Sequence, residues 1–253
     1  MGMGDADLDD YGPYAPGKAR RPRVRFDAIG DAWRLFNLRP LTWVLAGLIV
    51  LVGNSLLYGA VYSILGNPIP RSGGGFRVAL PPPGTLLNAV LSAILNGLFL
   101  GGMFRMACLQ VRGKTIAFTD LFGVAQVSPR ELILGCGSYG LICFAASLVF
   151  VLPALVAAGV LMFTLPLIVD GRMSAFDALR ASWHALKGQW LQATVFHLVA
   201  YLVTGLGACL CGVGLVITMP LYCLSIAVLY RDFFLAKKAN GFGKPAMSDP
   251  DFF

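Results

Sequence analysis

Four stretches of the chain contain no Asp, Glu, Lys or Arg: residues 40–70, 78–104, 132–169 and 191–230. Each is longer than the roughly 18 apolar residues that nominate a transmembrane helix. The last two are 38 and 40 residues long. At ~1.5 Å rise per residue each would extend to roughly 60 Å, about twice a hydrocarbon core of ~30 Å, so each crosses twice. The third stretch has its break at Pro153, after SLVFVL, and the fourth in the glycine cluster GLGACLCGVG, residues 205–214. Six spans follow, near residues 41–65, 86–104, 132–152, 154–169, 191–206 and 208–230. The runs are continuously apolar rather than alternating, which predicts helices with internally satisfied backbones and not barrel strands.

The segments before the spans carry an internal repeat. FDAIGDAWRLFNLRPL from Phe26 resembles FDALRASWHALKGQWL from Phe176 without a gap. In both, large apolar residues follow one helical stripe: Phe26, Ile29, Trp33 and Phe36, then Phe176, Leu179, Trp183 and Leu186. Asp27, Asp31 and Arg34, or Asp177, Arg180 and Lys187, take the other face, the pattern of an amphipathic helix lying at a membrane interface. Ser174 with Asp177 is an N-terminal start signal for the second copy. A weaker third copy, AFTDLF from Ala117, turns Phe118, Leu121 and Phe122 one way and ends at SPRE, residues 128–131, with Pro129 as the first helical residue. Downstream, VLMFTLPL ending at Leu167 resembles GLVITMPL ending at Leu221. The chain therefore reads as three units, each an interfacial helix followed by a transmembrane hairpin. The fold class is all-α, a polytopic membrane protein with a tail at 1–25, a membrane domain at 26–234 and a C-terminal tail at 235–253.

Composition removes the soluble alternatives. The 253 residues are 57% hydrophobic and 13% charged, with mean hydropathy +0.72, whereas soluble domains carry about 25% charge. A cytosolic globular enzyme is excluded. The net charge of +7 would suggest nucleic acid in a soluble chain, but here it sorts by side. Eighteen of the 20 Lys and Arg fall in segments on one side of the spans, and only Arg71 and Arg77 on the other. That is a positive-inside pattern with both termini cytoplasmic and an even number of spans. Trp33, Trp43, Trp183 and Trp190 sit at the same predicted interface, where indoles anchor. The N-terminal tail is Gly/Pro/Asp-rich, then basic in KARRPRVR, which marks it as disordered and lacking the apolar core of a secretory signal.

The F-D-A-x-x-x-[AS]-W helices before paired spans, the T-x-P-L motifs late in a hairpin, and the Y-R-D exit at Tyr230 resemble a loose bacterial grouping. It comprises six-helix membrane proteins of unknown function and the membrane domain fused to some glycerophosphodiester phosphodiesterases. The resemblance covers about residues 26–234 and implies an integral protein of the bacterial cytoplasmic (inner) membrane. The soluble phosphodiesterase barrel of the fused proteins has no counterpart here, so none of its catalytic residues carries over.

Candidate chemistry is sparse. His184 and His197 belong to no zinc signature. His197 lies within a span, where an ionisable residue is a site hypothesis by default and a neutral histidine donating to another helix is the plainer reading. Of six cysteines, Cys209 and Cys211 form C-L-C, too close for an ordinary bridge to each other. GCGSYG around Ser138 departs from a nucleophile elbow at its first glycine and opens a transmembrane helix rather than a strand-turn-helix. Gly97 and Gly101 form G-x-x-x-G, expected to pack helices within the chain.

Asn88, Ser92 and Asn96 repeat every four residues on one face, and Asn54 is expected to approach Asn96. Pro166 and Pro220 stand at matching positions of the repeat and each leave a carbonyl four residues earlier without its helical donor, with Thr164 and Thr218 nearby to help. No buried carboxylate or Lys/Arg accompanies them, which argues against a proton- or sodium-coupled carrier.

These features lead to a noncatalytic membrane-organising, assembly or lipid-interacting component. Lys18, Arg20, Arg21, Arg23 and Arg25 would contact anionic headgroups, at about 1 kcal/mol each. The alternative is a permease-like protein for an uncharged or lipidic solute, using Asn54, Asn88, Asn96 and the Pro166 and Pro220 breaks. No cofactor, metal or nucleic acid is expected. Membrane lipids are the expected partners, with a membrane-protein partner as a further option.

Overall fold

In a computed structural model, the structure describes residues 22–65, 83–126, 129–209 and 214–235, with a few side chains inside these ranges, notably those of 83–96, left undescribed. Among the described residues every regular element is helical. They run α1 (Asp27–Leu38), α2 (Pro40–Leu65), α3 (Pro83–Val111), a 3-10 segment (Phe118–Gln126), α4 (Pro129–Val149), α5 (Val151–Val160) and α6 (Thr164–Val169). Then follow α7 (Ala175–Leu186), a 3-10 turn (Lys187–Gln189), α8 (Trp190–Cys209), α9 (Leu215–Tyr230) and a π-helical turn (Arg231–Leu235).

Three runs are long and apolar enough to cross a bilayer by length and composition: Val151–Val169, Ala175–Gly207 and Leu215–Leu235. A fourth arises if α1 and Pro40–Leu56, which meet at 99°, count as one bent span. The described residues are those of an all-helical membrane protein. Neighbours close a ring, with α2 on α3, α3 on α4, α4 on α5, α5 on α8, α8 on α9, and α9 back on α2. Contacts of α3 with α9 and with α6 cross its middle.

The start signals behave as their chemistry dictates. Ser174 is the N-cap of α7, accepting from the Asp177 backbone N–H at 3.3 Å, and Pro129 opens α4 where its missing N–H is no loss. Ser128 lies outside the described residues.

The break expected at Pro153 falls instead at Phe150, whose backbone is extended at φ −173° and ψ 163°. Pro153 is the third residue of α5, a first-turn position that needs no donor. A second break at residues 161–163 separates α5 from α6. Ser182 of α7 closes it, donating to the Val160 carbonyl at 2.8 Å and accepting from the Phe163 N–H at 3.2 Å. Each such bond contributes about 1 kcal/mol net. Span boundaries shift too, since α3 continues to Val111 past Arg105 and α9 begins at Leu215.

The repeat is written into burial as well as sequence. At a spacing of 150 residues, Ala28 and Ala178, Ala32 and Ser182, Phe36 and Leu186, Trp43 and Ala193, Ala46 and Phe196, and Val50 and Ala200 are all buried. At the same spacing Phe26 and Phe176, Trp33 and Trp183, Leu41 and Leu191, and Leu56 and Leu206 are all exposed. Small residues let α1 lie on α9 and α7 on α6, while the aromatics point away.

The expected stripe is thereby split. Phe36 and Leu186 turn inward although grouped with the outward residues. Phe36 and Trp33, three residues apart, still stack on each other with centroids at 5.7 Å. The third copy is 3-10 rather than α-helical, with Leu121 buried and Phe118 and Phe122 exposed, so its three apolar residues do not share a face. Trp43 is not an interfacial anchor, being wholly inside the protein.

Candidate functional site

Polar side chains concentrate where the C-terminal ends of α3, α6 and α9 meet. Asp170, just past α6, accepts from Arg112 after α3 and from the Tyr230 hydroxyl at 2.8 Å. Arg25 donates through Nε to Asp232 and pairs through Nη2 with Asp31, both at 2.8 Å. Burial alone would lower both guanidinium pKa values; the facing carboxylates, Asp232 with Asp31 for Arg25 and Asp170 for Arg112, outweigh it and hold both above the ordinary value. Deeper in, Gln110 accepts from the Trp43 indole at 2.7 Å and donates to the Leu35 carbonyl at 2.6 Å. Glu131 of α4 accepts from the Ala175 N–H at 2.9 Å, capping the start of α7 from another helix. Gln189 clasps the incoming chain, accepting from the Val24 N–H and donating to the Pro22 carbonyl. These bonds tie the repeat helices and the N-terminal entry to the bundle; none presents a free acid, base or nucleophile.

The chemistry available for interaction lies outside this belt. Trp33 and Trp183 are 48% and 49% exposed, Trp190 is 49% exposed, and Phe26 and Phe176 accompany them. Arg34 and Arg180 are exposed on the same two helices. Amphipathic rings beside cations are suited to the headgroup level of a bilayer.

The sequence-nominated positions scatter. Lys18, Arg20 and Arg21, and the side chains of Asn88, Ser92 and Asn96, lie outside the described residues, and with them the expected approach of Asn54 to Asn96. Asn54 is half-buried in α2 and Arg23 is exposed, whereas Arg25 is ion-paired within the protein. Pro166 and Pro220 are both buried, in α6 and inside α9. Beside them Thr164 donates to the Leu161 carbonyl at 2.7 Å and Thr218 to the Gly214 carbonyl at 3.1 Å, rather than to the Met162 and Val216 carbonyls that lie four residues before the prolines. His197 is buried against Tyr222 of α9, edge to face with centroids at 5.8 Å. Its Nδ1 has no hydrogen-bond partner among the described residues, so donation to another helix through that atom is not what holds it.

Gly97 packs against Cys136 of α4, a close approach between helices of one chain. Cys108, Cys136, Cys143, Cys209 and Cys223 are free thiols, and Cys211 lies outside the described residues. Among the described residues no three His, Cys, Asp or Glu side chains converge as metal ligands.

Sequence reasoning passed over Gln110 and Gln189, and it placed Glu131 in a capping sequence at Ser128 and Asp170 in a turn without finding the Ala175, Arg112 and Tyr230 partners that the structure gives them. Their signal was position, a polar residue at the edge of an apolar run, but nothing in the chain named their partners. No protein-family model, curated protein or solved structure matches the chain.

Proposed function

We propose that this protein is a noncatalytic, lipid-interacting component of the bacterial cytoplasmic membrane, its six spans arranged as three interfacial-helix-plus-hairpin units with both termini in the cytoplasm. The unit arrangement is supported by a cyclic contact pattern. The helix or 3-10 segment that opens each unit packs on the second hairpin helix of the unit before it: α1 on α9, Phe118–Gln126 on α3, and α7 on α6. The orientation rests on the charge asymmetry, and labelling Cys209 checks it. This exposed thiol is expected to react from outside the cell, and reaction only from the cytoplasm contradicts the topology.

The lipid reading is carried by one observation. Two helices 150 residues apart bury matching small residues in the protein and leave matching aromatics, Phe26 and Trp33 and Phe176 and Trp183, outside it. A soluble surface gains nothing from such rings, whereas a bilayer interface accommodates their apolar bodies and polar edges together. The test is spin-labelled lipid in nanodiscs holding the full chain. Trp33→Ala with Trp183→Ala is expected to shrink the motionally restricted lipid fraction, and an undiminished fraction counts against the proposal.

A further inference from the structure

Along one side of α7, Leu179, Arg180, Trp183 and His184 face Leu161 and Ala157 at the end of α5 and Ile142 of α4, lining a groove of about 270 Å³. We infer that this groove binds one anionic glycerophospholipid, with an acyl-chain segment against Ile142, Ala157 and Leu161 and its phosphate at Arg180. The inference rests on the lipid-interacting reading and makes it a defined site.

Three features select this occupant. The walls are almost wholly aliphatic or aromatic, so they take hydrocarbon. The volume lies just below the ~300–1,000 Å³ of pockets that engulf a whole small ligand, and fits part of one chain whose remainder stays in the bilayer. Arg180 lines the groove, is exposed, and carries a charge that is not committed elsewhere among the described residues. Asp177, one turn before Arg180, has its carboxylate engaged by the Ser174 hydroxyl at 2.6 Å, and Arg180 forms no ion pair among the described residues. A guanidinium offers paired donors to phosphate oxygens, and Trp183 beside it suits the glycerol level. The first repeat copy supplies an internal contrast, because Gly30 occupies the register of Arg180 and has nothing around it.

The test uses the full chain released from nanodiscs of equal dioleoyl-phosphatidylglycerol and dioleoyl-phosphatidylcholine, with retained lipid counted by native mass spectrometry. The wild type is expected to keep phosphatidylglycerol preferentially. Arg180→Gln should lower that retention by up to about tenfold, the loss of one charge-assisted contact, leave phosphatidylcholine unchanged, and be rescued by Arg180→Lys in part. Ala157→Phe, which fills the groove, should reduce both lipids. Wild-type retention in Arg180→Gln overturns the inference whether or not Ala157→Phe has an effect, since the site then does not select a headgroup. If the spin-label experiment still responds to Trp33 and Trp183, only the groove assignment has failed; if it too is silent, the lipid reading fails with it.

Discussion

The Trp43 indole donates to the Gln110 side chain at 2.7 Å, across 67 residues of sequence and inside the protein. Gln110 passes the contact on to the Leu35 carbonyl at 2.6 Å. One amide thus joins α1, α2 and α3 at the point where α1 turns by 99° into α2.

Gln110→Leu leaves a buried indole N–H without its acceptor and a carbonyl without its donor. Each orphaned group costs about 1–3 kcal/mol, so the unfolding free energy in micelles should fall by roughly that amount or more. Trp43→Phe made in the Gln110→Leu background should cost less than in the wild type, because the bond is already gone. Strict additivity in that double-mutant cycle would show that the two side chains are not coupled.

Glycines on the repeat helices separate close packing from helix propensity. A methyl group added at Gly47 of α2 would land on the Val216 carbonyl of α9, with Val216 Cα only 3.1 Å away. Gly47→Ala should therefore destabilise by about 1–3 kcal/mol through overpacking. Gly30 of α1 is exposed and has nothing within 4 Å, so Gly30→Ala should stabilise by up to about 1 kcal/mol through helix propensity alone. Thermal unfolding of the two variants should move in opposite directions, and a shared sign would contradict the α2–α9 approach.

His197 decides between packing and a hidden polar site. Its Nδ1 is buried without a partner among the described residues, an arrangement that costs about 1–3 kcal/mol. His197→Leu should leave stability unchanged or raise it. A loss of more than about 1 kcal/mol on that substitution would mean that the imidazole bonds to something essential, and the packing account of α8 against α9 would have to go.

The helical fold was legible because charge-free runs and a 3.6-residue stripe are local properties, read without knowing any neighbour. The gapless repeat also anticipated positions on α1 and α7 that would be alike: Ala28 with Ala178, Ala32 with Ser182 and Phe36 with Leu186 are buried in both, and Phe26 with Phe176 and Trp33 with Trp183 exposed in both, while Leu35 is buried and Ala185 only partly so. What the stripe could not reveal was which edge each residue would face. Phe36 and Trp33 are both large and apolar, and only the presence of α9 beneath α1 turns one in and leaves the other out. Trp43 looked like an anchor because it begins a span, but Gln110, far along the chain, draws its indole inside. The break at Phe150 rather than Pro153 has a similar origin, since proline fits a first turn as readily as it ends a helix. Arg180 was read as one charge on a polar face; its place at the mouth of a groove depends on α4 and α5, which no pattern within α7 encodes.

The membrane-facing role of the repeat aromatics is tested most directly by tryptophan quenching in bilayers containing brominated-chain phosphatidylcholine. Single-tryptophan variants keep Trp33, Trp43 or Trp183, with the others replaced by Phe. Trp33 and Trp183, half-exposed on matching helices, should be strongly quenched, and Trp43, with no exposed surface, should be quenched little. Equal quenching of all three, or quenching of Trp33 and Trp183 by aqueous acrylamide but not by the brominated chains, would contradict the account.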